Sequence, residues 1–248
     1  VLGIDNINNY YSTSLKYSRI NFLKKISPKN FIFYKIDISN FSKLEKVFKS
    51  HKVDIVVNLA AQAGVRYSLI HPDKYVKSNL NGFFNILEIS RKNNVKHFLY
   101  ASTSSVYGKR KINDKLSEND RVDFPIQFYA ATKKSNELIA NSYSHLYGLP
   151  ATGLRFFTVY GPWGRPDMAP MIFADSIMSN KPIQIFNYGK MKRDFTYIED
   201  IVEGIFRCCY KPATPDELFD KSRPNPSTST APHRIFNIGN SKPIELLT

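Results

Sequence analysis

The chain has 248 residues, of which 42% are hydrophobic and 14% aromatic, a composition typical of a globular protein. It contains no run of about 18 apolar residues and no secretory pattern, so we expect neither a membrane span nor a leader. The net charge of +14 comes from Lys residues spread along the chain. Without a nucleic-acid-binding motif, this charge favours a solvated surface over a nucleic-acid partner, and it equally suits an anionic small substrate.

The cysteine and histidine content argues against a metal site. Cys208 and Cys209 are the only cysteines; they are adjacent and lack the spacing of metal ligands, and the five His are scattered. We therefore expect no bound metal. Two cysteines in a chain of this size indicate a reducing compartment, and we expect a cytoplasmic protein.

Short apolar runs alternate with amphipathic stretches along most of the chain. The runs predict strands at 1–4, 31–36, 54–59, 97–100, 152–157 and 183–186. Three helices are predicted. The apolar face of the first is Leu44, Val47 and Phe48, and that of the second, which follows Pro72, is Tyr75, Leu80, Phe83, Phe84 and Leu87. The third runs from Tyr129 through Leu138 and Ile139 to a C-cap at Gly148. This alternation predicts an α/β fold with a doubly wound, Rossmann-like parallel sheet. Ligands bind beyond the carboxyl ends of such strands, where we expect Asp5, Ala60–Gln62, Thr103–Ser105 and Thr158 to converge.

The pattern loosens after Phe157, where Pro and Gly become more frequent. Asp5 stands at the end of the first predicted strand, where an acidic residue of a dinucleotide-binding fold bonds the adenosine ribose hydroxyls and favours NAD. We expect an NAD-binding, Rossmann-like domain over residues 1–157 and a mostly substrate-binding part over 158–248, with segments that return to the first domain. The Pro/Ser/Thr-rich stretch 211–232 predicts a loop. The chain opens without Met and without a glycine-rich turn before Val1–Asp5, and a helix is predicted to begin at 243–248. We therefore expect it to be cut at both ends.

A hydroxyl cluster and a Tyr/Lys pair predict redox chemistry on an alcohol. Phe98–Gly108 is an apolar run that opens into Thr and Ser residues. The spacing Tyr-x-x-x-Lys occurs at Tyr107/Lys111, Tyr129/Lys133 and Tyr188/Lys192, and only the middle pair opens an amphipathic helix. Lys133 lies on the same helix face as Tyr129 and would lower the phenol pKa from about 10, which suits Tyr129 as the base.

The other parts of the reaction follow from the same chemistry. Thr103 or Ser104 can donate a hydrogen bond to a sugar oxygen, and a cofactor must accept the hydride because no side chain does. The alternative interpretation is a surface Lys beside a half-buried Tyr.

Six segments carry a resemblance to a known family: Gly3–Asn6, Asn58–Ser68, Ala101–Gly108, Tyr129–Lys133, Leu154–Met168 and Arg193–Tyr197. The YxxxK and VYG motifs are common to the short-chain dehydrogenase/reductase superfamily, whereas AAQAGVRYS and FFTVYGPWGRPDM are more specific to sugar-acid epimerases. The chain thus resembles an extended short-chain dehydrogenase/reductase of the NAD-dependent epimerase/dehydratase family, and within it the UDP-glucuronate 4-epimerases. The resemblance implies an enzyme with NAD as cofactor, a UDP-sugar as substrate and a homodimeric assembly.

The resemblance also implies roles for individual residues. Tyr129 would be the base, Thr103 would bond the sugar, and Lys133 would hold the nicotinamide ribose. Further NAD contacts are implied for Asp5 and Asn6 at the adenosine ribose, Asp37 and Ile38 at the adenine, and Leu59, Ala60, Ala61, Gln62, Asn79 and Phe156. Sugar-nucleotide contacts are implied for Arg66, Ser104, Ser105, Thr158, Arg165 and Arg193, the last at the diphosphate.

The two residues after Thr103 distinguish related reactions. Similar 4,6-dehydratases carry an Asp-Glu pair there, and UDP-glucuronate decarboxylases carry Glu at the second position. Ser104 and Ser105 are poor acids and bases, which leaves C4 epimerisation through a 4-keto sugar, from UDP-glucuronate to UDP-galacturonate. A UDP-glucuronate decarboxylase, another sugar-nucleotide epimerase or dehydratase, and a catalytically idle NAD-binding scaffold remain as alternatives.

Overall fold

The computed structural model describes residues 1–109 and 115–246. The helices are α1 (Thr13–Ile26), α2 (Phe41–Ser50), α3 (Tyr67–Ile70), α4 (Pro72–Tyr75), α5 (Phe83–Lys92), α6 (Phe128–Tyr147), α7 (Ala169–Met178) and α8 (Ile198–Cys209). The strands are β1 (Leu2–Asp5), β2 (Ile32–Lys35), β3 (Ile55–Asn58), β4 (His97–Thr103), β5 (Ala151–Phe156), β6 (Thr158–Tyr160), β7 (Lys192–Arg193), β8 (Phe195–Tyr197), β9 (His233–Ile238) and β10 (Ile244–Glu245). In these ranges no helix has the length and apolar character needed to cross a membrane.

The chain divides into two compact units. The first contains Val1–Asp37, Thr158–Ile198 and the chain from Asn240 onward, and the second contains Ile38–Phe157 and Glu199–Gly239. The predicted boundary after residue 157 coincides with a change of unit, while the first 37 residues group with later segments. The division into an NAD-binding part and a substrate-binding part stays a prediction about function.

The second unit is built on a parallel sheet of strand order β3-β4-β5-β9. In β4, Phe98, Leu99 and Tyr100 have no exposed surface, as expected of a parallel strand covered on both faces. This strand continues to Thr103, three residues beyond the predicted end. The all-parallel order and the alternating helices confirm the predicted α/β class.

The helices of this unit follow the sequence pattern with one correction. Leu44, Val47 and Phe48 are the buried face of α2, as predicted. Between α4 and α5, however, residues Val76–Gly82 form a π-helical turn. Asn79 in this turn is buried. Phe84, predicted to be on the inner face, is 46% exposed, because the buried face of α5 is formed by Phe83, Ile86, Leu87 and Ser90.

The first unit contains three two-stranded pairings: β1 with β2 and β6 with β8, both parallel, and β7 with β10, which is antiparallel. Helix α1 packs against the segment after β6. The rings of Phe22 and Trp163 lie 5.7 Å apart, and Arg19 Nη2 donates to the Gly164 carbonyl at 3.3 Å.

Two predicted elements are wrong. No strand forms at 183–186; a 3-10 turn, Phe186–Gly189, begins there, and Asn187 and Tyr188 have φ of 52°, which turns the chain instead of extending it. Ile244 and Glu245 are strand rather than helix, because they pair with Arg193 and Lys192; residues 247–248 lie outside the described range. The predicted loop at 211–232 contains no helix or strand.

Candidate active site

The hydroxyl cluster lies at the carboxyl end of β4, as predicted. Thr103 is the last residue of the strand and is 8% exposed. Its Oγ1 accepts from the Ser105 amide at 3.2 Å and donates to Ser105 Oγ at 3.3 Å, which caps the 3-10 turn Ser104–Tyr107. Ser104 and Ser105 are half-buried. Phe156 pairs with Thr103 across the sheet, so this predicted cofactor residue lies beside the cluster.

Tyr129 and Lys133 lie on the first turns of α6, which ends at the predicted cap, a left-handed Gly148. Lys133 is 3% exposed, and its Nζ donates to the Ala101 carbonyl at 2.8 Å, two residues before Thr103. Burial lowers the pKa of Lys133 to about 8. The Lys133 ammonium, which would favour a Tyr129 phenolate, is therefore hydrogen-bonded to β4. It loses its proton near pH 8, within the pH range of ordinary enzyme assays.

Tyr75 is a residue of this site that sequence reasoning did not single out for chemistry. It is fully buried, and its ring meets the Tyr129 ring edge-to-face with centroids 6.0 Å apart. Its hydroxyl donates to the carbonyls of Ala63 and Gly64. Tyr75 therefore packs against one side of the Tyr129 ring and restricts its movement. From the sequence, only the place of Tyr75 on a predicted apolar helix face indicated that it is buried.

Two predicted cofactor residues are joined by hydrogen bonds. Asn79 Oδ1 accepts from the Gln62 amide at 2.8 Å, and its Nδ2 donates to the Gln62 carbonyl at 3.0 Å and to Thr132 Oγ1 at 3.1 Å. The π-helical turn thus connects the segment after β3 to α6. Of the other predicted residues here, Leu59 is exposed, Ala60 and Ala61 are half-buried, and Ile38 is buried against Gly82.

The predicted ribose carboxylate lies in the first unit. Asp5 ends β1, is exposed, and accepts from the Ile7 amide at 2.6 Å. Asn6 Nδ2 donates to Asp37 Oδ2 at 3.4 Å, so these predicted residues come together at the ends of β1 and β2. Lys16, which the sequence did not single out, is buried nearby and donates to the Asn8 carbonyl at 2.8 Å. Burial is the main cause of its lowered pKa.

Three predicted substrate residues share the first unit. The Thr158 amide donates to the Asp194 carbonyl at 3.1 Å, next to the exposed Arg193. Arg165 forms a two-point bond to Asp167, at 3.0 and 2.7 Å. Arg66 is exposed before α3 and belongs to the second unit. The convergence of residues from both units on one ligand stays a prediction.

Sequence reasoning missed a buried ion pair below the hydroxyl cluster. Glu137 lies one turn after Lys133 on α6, and Arg155 lies in the apolar strand β5; their charged groups bond at 2.8 and 2.9 Å. The available signal was a lone Arg inside an apolar run, since a charge there requires a partner.

The family to which the chain belongs follows from comparison with known proteins. Residues 1–239 match the NAD dependent epimerase/dehydratase family, and the chain belongs to that family. It is an extended short-chain dehydrogenase/reductase, and NAD is its cofactor. The predicted class, an NAD-dependent nucleotide-sugar epimerase, is confirmed.

Individual relatives are similar over the whole of this chain. It is 53% identical to Protein CapI of Staphylococcus aureus, covering 100% of this chain and 73% of that protein. It is 44% identical to the probable UDP-glucuronate 4-epimerase of Rhizobium meliloti, covering 100% and 72%. The UDP-glucuronic acid 4-epimerase of Bacillus cereus, solved with UDP-glucuronic acid and NAD, superposes with a TM-score of 0.83 at 32% identity, covering 100% and 71%.

Lys133 and Asp5, each taken by itself, have the chemistry that one ribose of a dinucleotide requires. The Lys133 ammonium has three donors, and a single bond to Ala101 is formed among the described residues. A buried ammonium with spare donors suits the hydroxyls of a ribose. Asp5 presents an exposed carboxylate at a strand end, which suits the diol of the other ribose.

Proposed function

We propose that this protein interconverts UDP-glucuronate and UDP-galacturonate by epimerisation at C4. The observation that carries the proposal is the pair of serines directly after Thr103, whose hydroxyls lie at the end of β4. A Ser hydroxyl is a poor acid and a poor base near neutral pH. At these two positions the site therefore offers hydrogen bonds in place of the carboxylates that would eliminate water or promote decarboxylation.

Residues of this chain remove the proton of the C4 hydroxyl and return it. Tyr129 acts as the base, and Thr103 holds the sugar oxygen by a hydrogen bond. Lys133, while protonated, favours the Tyr129 phenolate. The Tyr75 ring, packed edge-on at 6.0 Å, restricts the Tyr129 ring. When the ketone is reduced on its other face, the same Tyr129 returns the proton.

NAD, when bound, supplies the hydride acceptor and donor. Lys133 holds the nicotinamide ribose, and Asp5 and Asn6 hold the adenosine ribose. The remaining contacts are proposed for Asp37 and Ile38 at the adenine and for Leu59, Ala60, Ala61, Gln62, Asn79 and Phe156 along the dinucleotide.

Recognition of a sugar acid is assigned to cationic and hydroxyl side chains. Arg193 binds the diphosphate, and Thr158 and Arg165 contact the sugar, with Ser104, Ser105 and Arg66 as further contacts. The relatives named UDP-glucuronate 4-epimerase support a glucuronate substrate. In this structure the guanidinium of Arg165 is hydrogen-bonded to the Asp167 carboxylate. An anionic group of the substrate would compete with Asp167 for this guanidinium.

Product analysis tests the proposal directly. The full-length protein is incubated with UDP-glucuronate, and the sugar products are followed by NMR. UDP-galacturonate without carbon dioxide supports the proposal, UDP-xylose identifies a decarboxylase, and absence of turnover favours a scaffold. Tyr129→Phe is the control, because undiminished turnover would remove Tyr129 from the mechanism. Light scattering tests the homodimer that the resemblance implies.

A further inference from the structure

A buried ion pair connects the helix that carries Tyr129 and Lys133 to the sheet. Arg155 in β5 has no exposed surface, and Glu137 in α6 is 2% exposed. Arg155 Nε donates to Glu137 Oε1 at 2.8 Å and Nη2 donates to Oε2 at 2.9 Å. Ser102 Oγ donates to the same Oε1 at 2.7 Å. Glu137 therefore bonds two neighbouring strands at once.

The pair lies beside the catalytic residues. Glu137 is one helical turn after Lys133, and Ser102 directly precedes Thr103. Lys133 bonds the Ala101 carbonyl at 2.8 Å, so successive turns of α6 are fastened to successive residues of β4. These two bonds hold the first turns of α6, which carry Tyr129, against the end of β4, which carries Thr103.

A third arm of the network reaches the turn that contains the serines. Arg155 Nη1 donates to the Tyr107 hydroxyl at 3.0 Å, and its guanidinium lies 5.0 Å from the centre of the Tyr107 ring. Tyr107 closes the 3-10 turn Ser104–Tyr107, and its hydroxyl donates to Asn237 Oδ1 at 2.7 Å. One guanidinium thus holds the helix of the base and, through Tyr107, the turn of the hydroxyl cluster.

Stability alone does not account for this pair. Burying two charges costs desolvation, and apolar residues of the same volume often serve stability equally well. Burial acts to raise the pKa of Glu137, but the hydrogen bonds and charge of Arg155 outweigh it and hold that pKa below its usual value. Burial lowers the pKa of Lys133. The bonds of the pair to β4 and β5 act on geometry, since they fix the position of α6 on the sheet.

We propose that Glu137 and Arg155 are positioning residues that set Tyr129 and Lys133 against the Thr103–Ser105 hydroxyls for the hydride-transfer step. The proposal rests on the proposed function for its substrate. It goes beyond that function by assigning a rate effect to two buried residues that have no proposed contact with cofactor or sugar.

The test replaces both charges together. In Glu137→Leu/Arg155→Met neither member of the pair is left as an unpaired charge, and the side-chain volumes are nearly kept. We expect a folded protein with KM and NAD affinity within about twofold of wild type and a kcat lower by tenfold to hundredfold, since small misplacements cost about that much. With substrate deuterated at C4, the isotope effect on kcat should rise, because hydride transfer becomes slower than product release.

Two further variants keep the result interpretable. Glu137→Gln keeps the side-chain shape and an acceptor for Ser102, and it should also lower kcat. This variant supplies the test if the double variant does not fold. Lys134→Met is the matched control: Lys134 lies 3.5 Å from Glu137, but its loss leaves the bonds to Arg155 intact. Its kcat should stay within about twofold of wild type.

A wild-type kcat and isotope effect in folded Glu137→Leu/Arg155→Met or in Glu137→Gln would overturn the proposal. An equal fall of kcat in Lys134→Met would also overturn it, since the effect would then not be specific to the pair. Wild type is first assayed with UDP-glucuronate, UDP-glucose and UDP-N-acetylglucosamine. If only a neutral sugar turns over, the proposed substrate is wrong, and the same variants are compared on that sugar.

Discussion

Lys133 shows how far sequence reasoning reaches at the scale of one residue. The pairing of Lys133 with Tyr129 could be predicted from spacing and context, because both lie on one helix face. The burial of Lys133 could not be predicted from the sequence, because it results from the packing of α6 against β4, where the ammonium bonds the Ala101 carbonyl. The packing of the Tyr75 ring against Tyr129 could not be predicted either, since it brings together residues 54 positions apart in the chain.

The lowered pKa of Lys133 predicts a pH-dependent affinity for NAD. With that pKa at about 8, the ammonium is lost as the pH rises above 8, and the affinity should then fall by up to about tenfold for each further pH unit. Calorimetry between pH 6.5 and 10 measures this. In Lys133→Met the affinity should be lower throughout and should lack this step. The same step in the variant would assign the titration to another group.

At the scale of elements, the sequence predicted the long helices and strands better than the short segments between them. Strand β4 follows its apolar pattern, because both of its faces are buried. Helix α6 forms where it was predicted, but its buried face is mainly polar, with Lys133, Asn136 and Glu137, while Leu138 of the predicted apolar pattern is 59% exposed. The π-helical turn at 76–82 was not predictable, since one extra residue in a turn leaves the composition unchanged. Strand β10 was missed because its pairing with β7, about 50 residues away, and not its local sequence, decides its structure.

A glycine in β5 gives a prediction about this sheet. A Cβ on Gly153 would lie 2.5 Å from the hydroxyl of Tyr100, which is fully buried. Gly153→Ala should therefore lower the free energy of unfolding by about 1–3 kcal/mol.

Urea unfolding of Gly153→Ala measures the loss, and Gly204→Ala is the matched control. Gly204 lies inside α8, and a Cβ there would meet nothing closer than 3.6 Å. Its replacement should raise the free energy of unfolding by about 0.5–1 kcal/mol. If Gly153→Ala were as stable as wild type, the close approach of Tyr100 to β5 would be incorrect.

For the whole molecule, buried histidines link stability to pH. A hydrogen bond of 2.9 Å joins His233 Nε2 in β9 to the Tyr100 hydroxyl, and burial lowers the pKa of His233 from 6.5 to about 4. Above pH 6.5 the imidazole is neutral in both the folded and the unfolded chain. Below it, the unfolded chain binds a proton that the folded chain does not, so stability falls until about pH 4.

This linkage predicts a loss of up to about 3 kcal/mol between pH 6.5 and 4 from His233. Urea unfolding across that range measures it, alongside His233→Gln, which keeps an acceptor for Tyr100 but does not titrate. The variant should show a shallower decline by about that amount. Equal slopes in the two proteins would mean that His233 is protonated in the folded state.

The most direct test of the central claim follows the hydrogen at C4. The full-length protein is incubated with NAD and UDP-glucuronate deuterated at C4 in ordinary water, and the product is analysed by NMR and mass spectrometry. Oxidation at C4 and return of the same hydride to the other face of the ring predict UDP-galacturonate that retains the deuterium at C4. A C4 epimer that carries solvent hydrogen at C4, or no epimer, would contradict the account.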